Sequence, residues 1–201
     1  MEPRKKQPEQ TRNAILDAVD AEFSHGGYAA TGIGAIVLRS GLTKGALFHH
    51  FADKQKLALA WIGEILARSL RELWIEPLER AASLDDLLQI CRQRCSQGTV
   101  GDATSALVAT AAEVAARDAV LGGAMETIFA DWRAAVAALL ERGRSGGWIH
   151  PSIQPPIEAA LLVSAFAGFT VALRVAESPE TRAQFLTGIA AYLETLRVQT
   201  A

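Results

Sequence analysis

The sequence predicts an all-α fold, and three observations carry that prediction. Apolar residues recur at three- and four-residue intervals, alanine and leucine abound, and no proline falls between Pro8 and Pro77. No stretch alternates Val, Ile, Thr or Tyr with polar residues between turn dipeptides, so strands are not expected. With 201 residues, 50% of them hydrophobic and 21% charged, the chain can bury a substantial core and is too apolar for a disordered tail.

The first helix is expected to start at a Thr11 cap and to bury a stripe of Ile15, Val19 and Phe23 at i, i+4, i+8. Gly26 and Gly27 end it, since glycine accepts the left-handed conformation of a helix C-terminus. Thr31 reads as the N-cap of a short second helix over residues 32–39 holding Ile33, Ile36 and Val37, and Gly41 closes it. Thr43 caps a third helix ending at Phe51. Asp53 caps a fourth that runs through Leu57, Trp61 and Ile65 toward Trp74, with Pro77 as its boundary.

Longer helices follow, over Leu84–Gln97, Ala103–Ala116, Ala119–Arg144, Ile157–Ala176 and Glu180–Val198, about nine in all. Glycine and proline clusters separate several of them, at Gly98–Gly101, Ser145–Gly147, Pro151–Pro156 and Ser178–Pro179. The domain boundary is expected in the fourth helix, giving a small unit over 1–56 and a larger one over 57–201.

Charge is uneven although the net value is −2. Residues 1–56 carry eight Lys and Arg against six Asp and Glu, whereas 57–201 carry twelve against sixteen. An anionic partner would therefore meet the N-terminal quarter. A short basic arm, Arg4-Lys5-Lys6, belongs to the same end. The uncharged apolar run Ala159–Leu173 falls short of the roughly 20 residues a membrane span needs. The polar start of the chain has no apolar secretory segment, and two cysteines, Cys91 and Cys95, build no disulfide framework. The expected compartment is the cytoplasm.

Residues 32–39 and 43–50, joined by Ser40-Gly41-Leu42, have the length and turn chemistry of a helix-turn-helix. In that motif the second helix enters the DNA major groove with its N-terminal residues at the base edges. Here those residues are Lys44, a cation, and Gly45 and Ala46, small enough for close approach. Leu47 and Phe51 would face inward, leaving Lys44, Phe48 and His49 outward. Two short helices around a glycine also occur as plain corners in helical bundles, so the motif alone leaves both readings open.

The run Thr11–Ala18, Gly27-Tyr28, Thr31, Ile36, then Gly41-Leu-Thr-Lys-Gly-Ala-Leu-Phe-His-His-Phe51, Lys54 and Leu57 resembles the TetR/AcrR (tetracycline-repressor) family over the first sixty or so residues. The rest of the chain is similar only in plan. The resemblance implies a homodimeric, usually repressing transcription factor that binds a palindromic double-stranded operator through its N-terminal unit and is released by a small molecule in its C-terminal domain. It maps DNA contacts onto Thr31 and Gly32 at the second helix start, Arg39, the recognition-helix residues Thr43, Lys44, Gly45, Ala46, Phe48 and His49, and Lys54. Three residues depart from the family pattern: Phe48 stands where tyrosine is usual, and Gly32 and Gly34 where side chains are usual. They shift contacts onto Arg39, Lys44 and the basic arm.

For an effector, Trp74, Cys91, Cys95, Leu107, Met125, Phe129, Trp132 and Phe166 are the expected apolar lining between helices, although such stripes are also ordinary core. Few polar groups converge there, which points to an apolar or aromatic ligand. Leu162, Ala165, Phe169, Phe185, Ile189, Tyr192 and Leu196 on the last two helices are expected to form a four-helix dimer interface, by resemblance. Cys91 and Cys95, one turn apart beside Arg92 and Arg94, could instead act as a thiol sensor. The four histidines have no partners at ligand spacing, adjacent His49 and His50 point about 100° apart, and no nucleophile or nucleotide-binding motif is present. No metal, cofactor, membrane or enzymatic role is expected. Two alternatives remain open: a DNA binder without an effector, and a helical ligand-binding or interaction protein whose helix-turn-helix is vestigial.

Overall fold

The computed structural model describes residues 8–96, 103–175 and 178–198. The basic arm Arg4-Lys5-Lys6 and the Gly98–Gly101 break lie outside them. Within them the chain is helical with no strand, nine helices if the rod over 54–80 counts once. In order these are α1 (Pro8–Gly26), α2 (Ile33–Ser40), α3 (Lys44–His50), then α4 (Lys54–Trp61), α5 (Ala67–Leu70) and α6 (Glu76–Arg80) with π turns at Ile62–Leu66 and Arg71–Ile75 between them. They are followed by α7 (Leu84–Ser96), α8 (Ser105–Val114), α9 (Ala119–Ser145), α10 (Pro155–Val175) and α11 (Pro179–Leu196).

Three expected boundaries move. The first helix begins at Pro8, so Thr11 lies inside it; proline is pre-organised for a first turn and has no N–H to leave unsatisfied. Thr31 is not the cap of α2: that position is Gly32, without a side-chain cap bond. Pro77 does not end the fourth helix, which continues to Arg80. The ring of a helical proline crowds the carbonyl four residues back, here Leu73, and that residue sits in the wider turn of the second π segment. The rod ends at Ala81, where Arg142 donates to the carbonyls of Leu78 (2.8 Å) and Ala81 (3.1 Å) left over at a helix C-terminus.

The chain forms two compact units, one combining Met1–Arg68 with Ala109–Met125 and the other Ser69–Val108 with Glu126–Ala201. The expected division at residue 56 is thus too early, and it misses the α8–α9 turn, which belongs to the first unit. In that unit Ile15, Val19 and Phe23 of α1 are buried with Ile36, Leu47, Phe51, Leu57 and Trp61. Phe23 meets Trp61 edge-on at 5.2 Å, and the Trp61 indole donates to Asp20 (2.8 Å). Arg12 grips Glu64 with two bonds of 2.6 and 2.5 Å and lies 5.3 Å over the Phe51 ring, tying α1 to the first π turn and to the end of α3.

The second unit is held by aromatic packing. Phe129, Trp132, Trp74, Phe166, Phe185 and Phe169 follow one another in a chain of ring contacts 3.8 to 6.3 Å apart. The buried Trp74 indole donates to Thr104 (3.2 Å). Within α10, Pro155–Ala172 is long and apolar enough to cross a bilayer by composition. Ala159, Leu162, Val163, Phe166 and Phe169 of that stretch are buried in the unit's core.

Candidate functional site

The α2–turn–α3 segment is built as the sequence implies. Gly41 takes the left-handed conformation (φ 64°), and its N–H bonds the Leu38 carbonyl, which lets the chain reverse without a Cβ penalty. Thr43 caps α3 by accepting the Ala46 N–H at 3.1 Å, and Asp53 caps α4 through the Lys56 N–H at 2.7 Å. Leu47 and Phe51 turn inward, whereas Thr43, Lys44, Gly45, Phe48 and His49 are exposed and Ala46 is half-buried. The segment itself carries no acid: residues 23–52 contain no Asp or Glu. That gap is a clearer electrostatic signal in the sequence than the balance over the whole N-terminal quarter, because a phosphate backbone meets it at short range.

The flanking expected contacts are less free. Thr31 is buried, and its hydroxyl donates to the carbonyls of Gly27 (2.8 Å) and Glu22 (3.2 Å). It locks the α1–α2 turn and turns no hydroxyl outward. Arg39 is paired with Glu22. Lys54 lies with its ammonium 4.4 Å over the Tyr28 ring and 3.4 Å from the Ala29 carbonyl, and burial pulls its pKa below the usual lysine range. Either cation must exchange a protein partner to reach a phosphate. Lys44 by contrast is exposed, its ammonium 5.8 Å from the Phe48 ring centroid.

Glu113, near the end of α8, was given no role by the sequence. Its carboxylate accepts the consecutive N–H groups of Tyr28 (2.9 Å) and Ala29 (2.5 Å). Gly27 beneath it has φ 83°, and a Cβ there would lie 3.2 Å from the carboxylate. Asp118, at the start of α9, accepts from Gln55 of α4 at 2.8 Å. The α8–α9 turn thus holds both the loop before α2 and the start of α4. A contact 84 or 85 residues away in sequence leaves no local pattern to find it by.

In the second unit, Trp74, Cys91, Trp132 and Phe166 line a cavity with Leu78, Leu87, Val136, Leu162, Val163, Ile189 and Leu193. Four other expected lining residues are elsewhere: Leu107 lines a separate crevice, Met125 is core of the first unit, and Cys95 and Phe129 do not reach the void. The cavity volume is about 10 Å³, room for about one water. The lining is apolar throughout.

The thiol-sensor alternative loses its premise. Burial pushes the Cys91 thiol strongly upward and that of Cys95 up to about 11, so Arg92 and Arg94 do not create a thiolate.

The expected dimer residues are also redistributed. Leu162, Phe169, Ile189 and Leu196 are buried within the unit, Phe185 stacks on Phe169 at 3.8 Å, and Tyr192 donates its hydroxyl to Glu158. Ala165 is half-buried. The outward apolar face of α10 is formed instead by Ile157, Leu161 and Val171, which are 60%, 51% and 49% exposed. On α11 the small residues Ala183, Gly188 and Ala191 are exposed.

Comparison with known proteins fits this geometry. Residues 15–61 match the family described as bacterial regulatory proteins, tetR family. The chain is 29% identical over 174 residues to the A-factor receptor protein of Streptomyces griseus, covering 87% of this chain and 58% of that protein. It is 36% identical over 72 residues to the HTH-type transcriptional regulator AcrR of Shigella flexneri, covering 36% of this chain and 33% of that one. The matches thus span less than two thirds of either relative's length. Among solved structures, a TetR transcriptional regulator from Chloroflexus aurantiacus superposes with a TM-score of 0.83 at 25% identity, covering 96% of this chain and 98% of that one. A TetR-family regulator from Cytophaga hutchinsonii gives a TM-score of 0.87 at 15% identity over the whole of both chains.

Proposed function

The chain belongs to the TetR family of bacterial regulatory proteins, and on that premise we propose that it is a dimeric transcriptional repressor that binds a palindromic operator and responds to an apolar ligand. The observation that carries the DNA-binding part is α3: capped by Thr43, presenting Lys44, Gly45, Phe48 and His49, on a segment with no acidic residue. A dimer would place two such helices in successive major-groove faces about one helical turn apart. Such work belongs in the cytoplasm, where chromosomal operators are.

The repressing role is supported by the naming of the AcnR relative from Corynebacterium efficiens as a transcriptional repressor, 38% identical over 61 residues. Ligand response is supported by the receptor named in the Streptomyces match and by the apolar cavity. An effector of ordinary size needs a few hundred Å³ against the 10 Å³ present, so binding would require the helices of the second unit to part. That opening would shift the population between DNA-competent and incompetent states. The closed cavity equally favours a second reading, a DNA binder without a small-molecule effector. The dimer would be closed by Ile157, Leu161 and Val171 meeting their symmetry mates.

The test is fluorescence anisotropy on the DNA flanking the chain's own gene, at two salt concentrations with excess nonspecific competitor. Competitor-resistant binding, lost in Lys44→Ala with fold and mass unchanged, is the expected result. Binding that vanishes with salt and ignores Lys44 would favour a vestigial motif. Light scattering should give twice the chain mass, and Leu161→Glu should halve it.

A further inference from the structure

The exposed face of α3 places two unlike groups side by side. Lys44 and Phe48 are one helical turn apart, and the ammonium lies 5.8 Å from the ring centroid. The ring is 40% exposed, so water, and not the core, meets much of its surface. Gly45 is on the same exposed face, and a Cβ there would meet nothing nearer than the Thr43 hydroxyl at 3.9 Å. No packing within the chain requires glycine at that position. A close partner would.

We propose that Phe48 is a specificity-determining residue, packing its ring on the C5-methyl group of an operator thymine while Lys44 takes the guanine beside it. This rests on the reading of the chain as a DNA binder and deepens it. A phenyl ring has neither donor nor acceptor, so it hydrogen-bonds no phosphate and no base edge. The apolar group that the major groove presents on its bases is the thymine methyl. Lys44 is a compact cation with three donors, and guanine offers paired acceptors at O6 and N7 in the same groove. The rise of one helical turn is about 5.4 Å and base pairs stack about 3.4 Å apart, so the two contacts fall one or two base pairs apart. The bare backbone at Gly45 lets both side chains reach the groove floor. Arg39, paired with Glu22, and Lys54, folded over Tyr28, are not aimed there.

The experiment selects binding sites from a random duplex pool with the full-length chain, then replaces each selected thymine by uracil, which lacks only the methyl group. Every half-site should contain a thymine one or two positions from a guanine. Uracil there should weaken binding about fourfold per half-site, the value of burying one methyl group, whereas uracil at other positions should have no effect. Phe48→Ala should remain folded by circular dichroism, bind more weakly, and lose the distinction between thymine and uracil. A selected motif in which no uracil replacement matters, or in which Phe48→Ala keeps the distinction, overturns the proposal and leaves the DNA-binding reading standing. Selection of no motif overturns both.

Discussion

The two units are stabilised by different means, and the difference explains which parts of the molecule can be read from its sequence. The first is cross-tied by polar side chains at specific atoms: Arg12 to Glu64, Trp61 to Asp20, Glu113 to the Tyr28 and Ala29 amides, Gln55 to Asp118. The second has polar ties too, Trp74 to Thr104 and Arg142 to the Leu78 and Ala81 carbonyls, but what sets it apart is rings against rings around a void of about 10 Å³. Directional bonds fix a surface that must match a rigid partner. Apolar packing is less directional and tolerates rearrangement of similar volume, which would suit the proposed opening for a ligand.

The largest break in this comparison is Trp132→Ala. The ring is 1% exposed and lies 4.8 Å from Trp74, so truncation should lower stability by about 3–5 kcal/mol, measured by urea unfolding. A loss below about 1 kcal/mol would mean that the aromatic chain is not what holds the second unit. Next is Glu113→Ala, which leaves two turn amides without their acceptor and should lower stability by about 1–3 kcal/mol. Hydrogen exchange at Tyr28 and Ala29 should accelerate, and operator affinity should fall with it. Unchanged exchange there would remove the clamp from the description of the first unit.

Both variants also mark the limit of legibility. The caps at Thr43 and Asp53, the Gly41 reversal and the inward Leu47 and Phe51 follow from short-range rules, because each depends on residues no more than four positions away. Thr31 fails under those rules: a threonine at a helix start either caps forward or bonds backward to a carbonyl, and only the tertiary turn decides. Pro77 fails because a π turn upstream removes the clash that should end a helix. In the second unit α10 is apolar on both faces, so periodicity does not separate Leu162 and Phe169, which are buried, from Leu161 and Val171, which are not. Spacing found Trp74, Cys91, Trp132 and Phe166 as cavity lining. It could not exclude Leu107 or Met125, whose apolar stripes look the same and pack elsewhere.

A smaller effect tests the polar side of the comparison through pH. The Arg12 bonds hold the Glu64 carboxyl below the usual carboxylate range. A depressed folded pKa contributes stability at pH values above the unfolded pKa and loses it as pH falls through the folded one. Glu64→Gln should therefore be less stable than the parent at neutral pH, by about 1 kcal/mol or less because both side chains are over a third exposed. The gap should close on acidification. A gap that stays constant to low pH would show that the pair's charge contributes nothing and that only shape is kept.

The smallest effect has the opposite sign. A Cβ at Gly34 would meet nothing within 4 Å, and the residue is exposed and helical in α2, so the fold gives no reason for glycine. Gly34→Ala should raise stability by about 0.5 kcal/mol, a little under the full helix-propensity difference because the site lies in the first turn of a short helix. If the bare backbone there lets α2 approach a phosphate, the same substitution should weaken operator binding while the melting temperature rises. Stability and binding would then separate at a single methyl group. A gain in stability with unchanged affinity would instead assign close DNA approach to Gly45 and α3 alone.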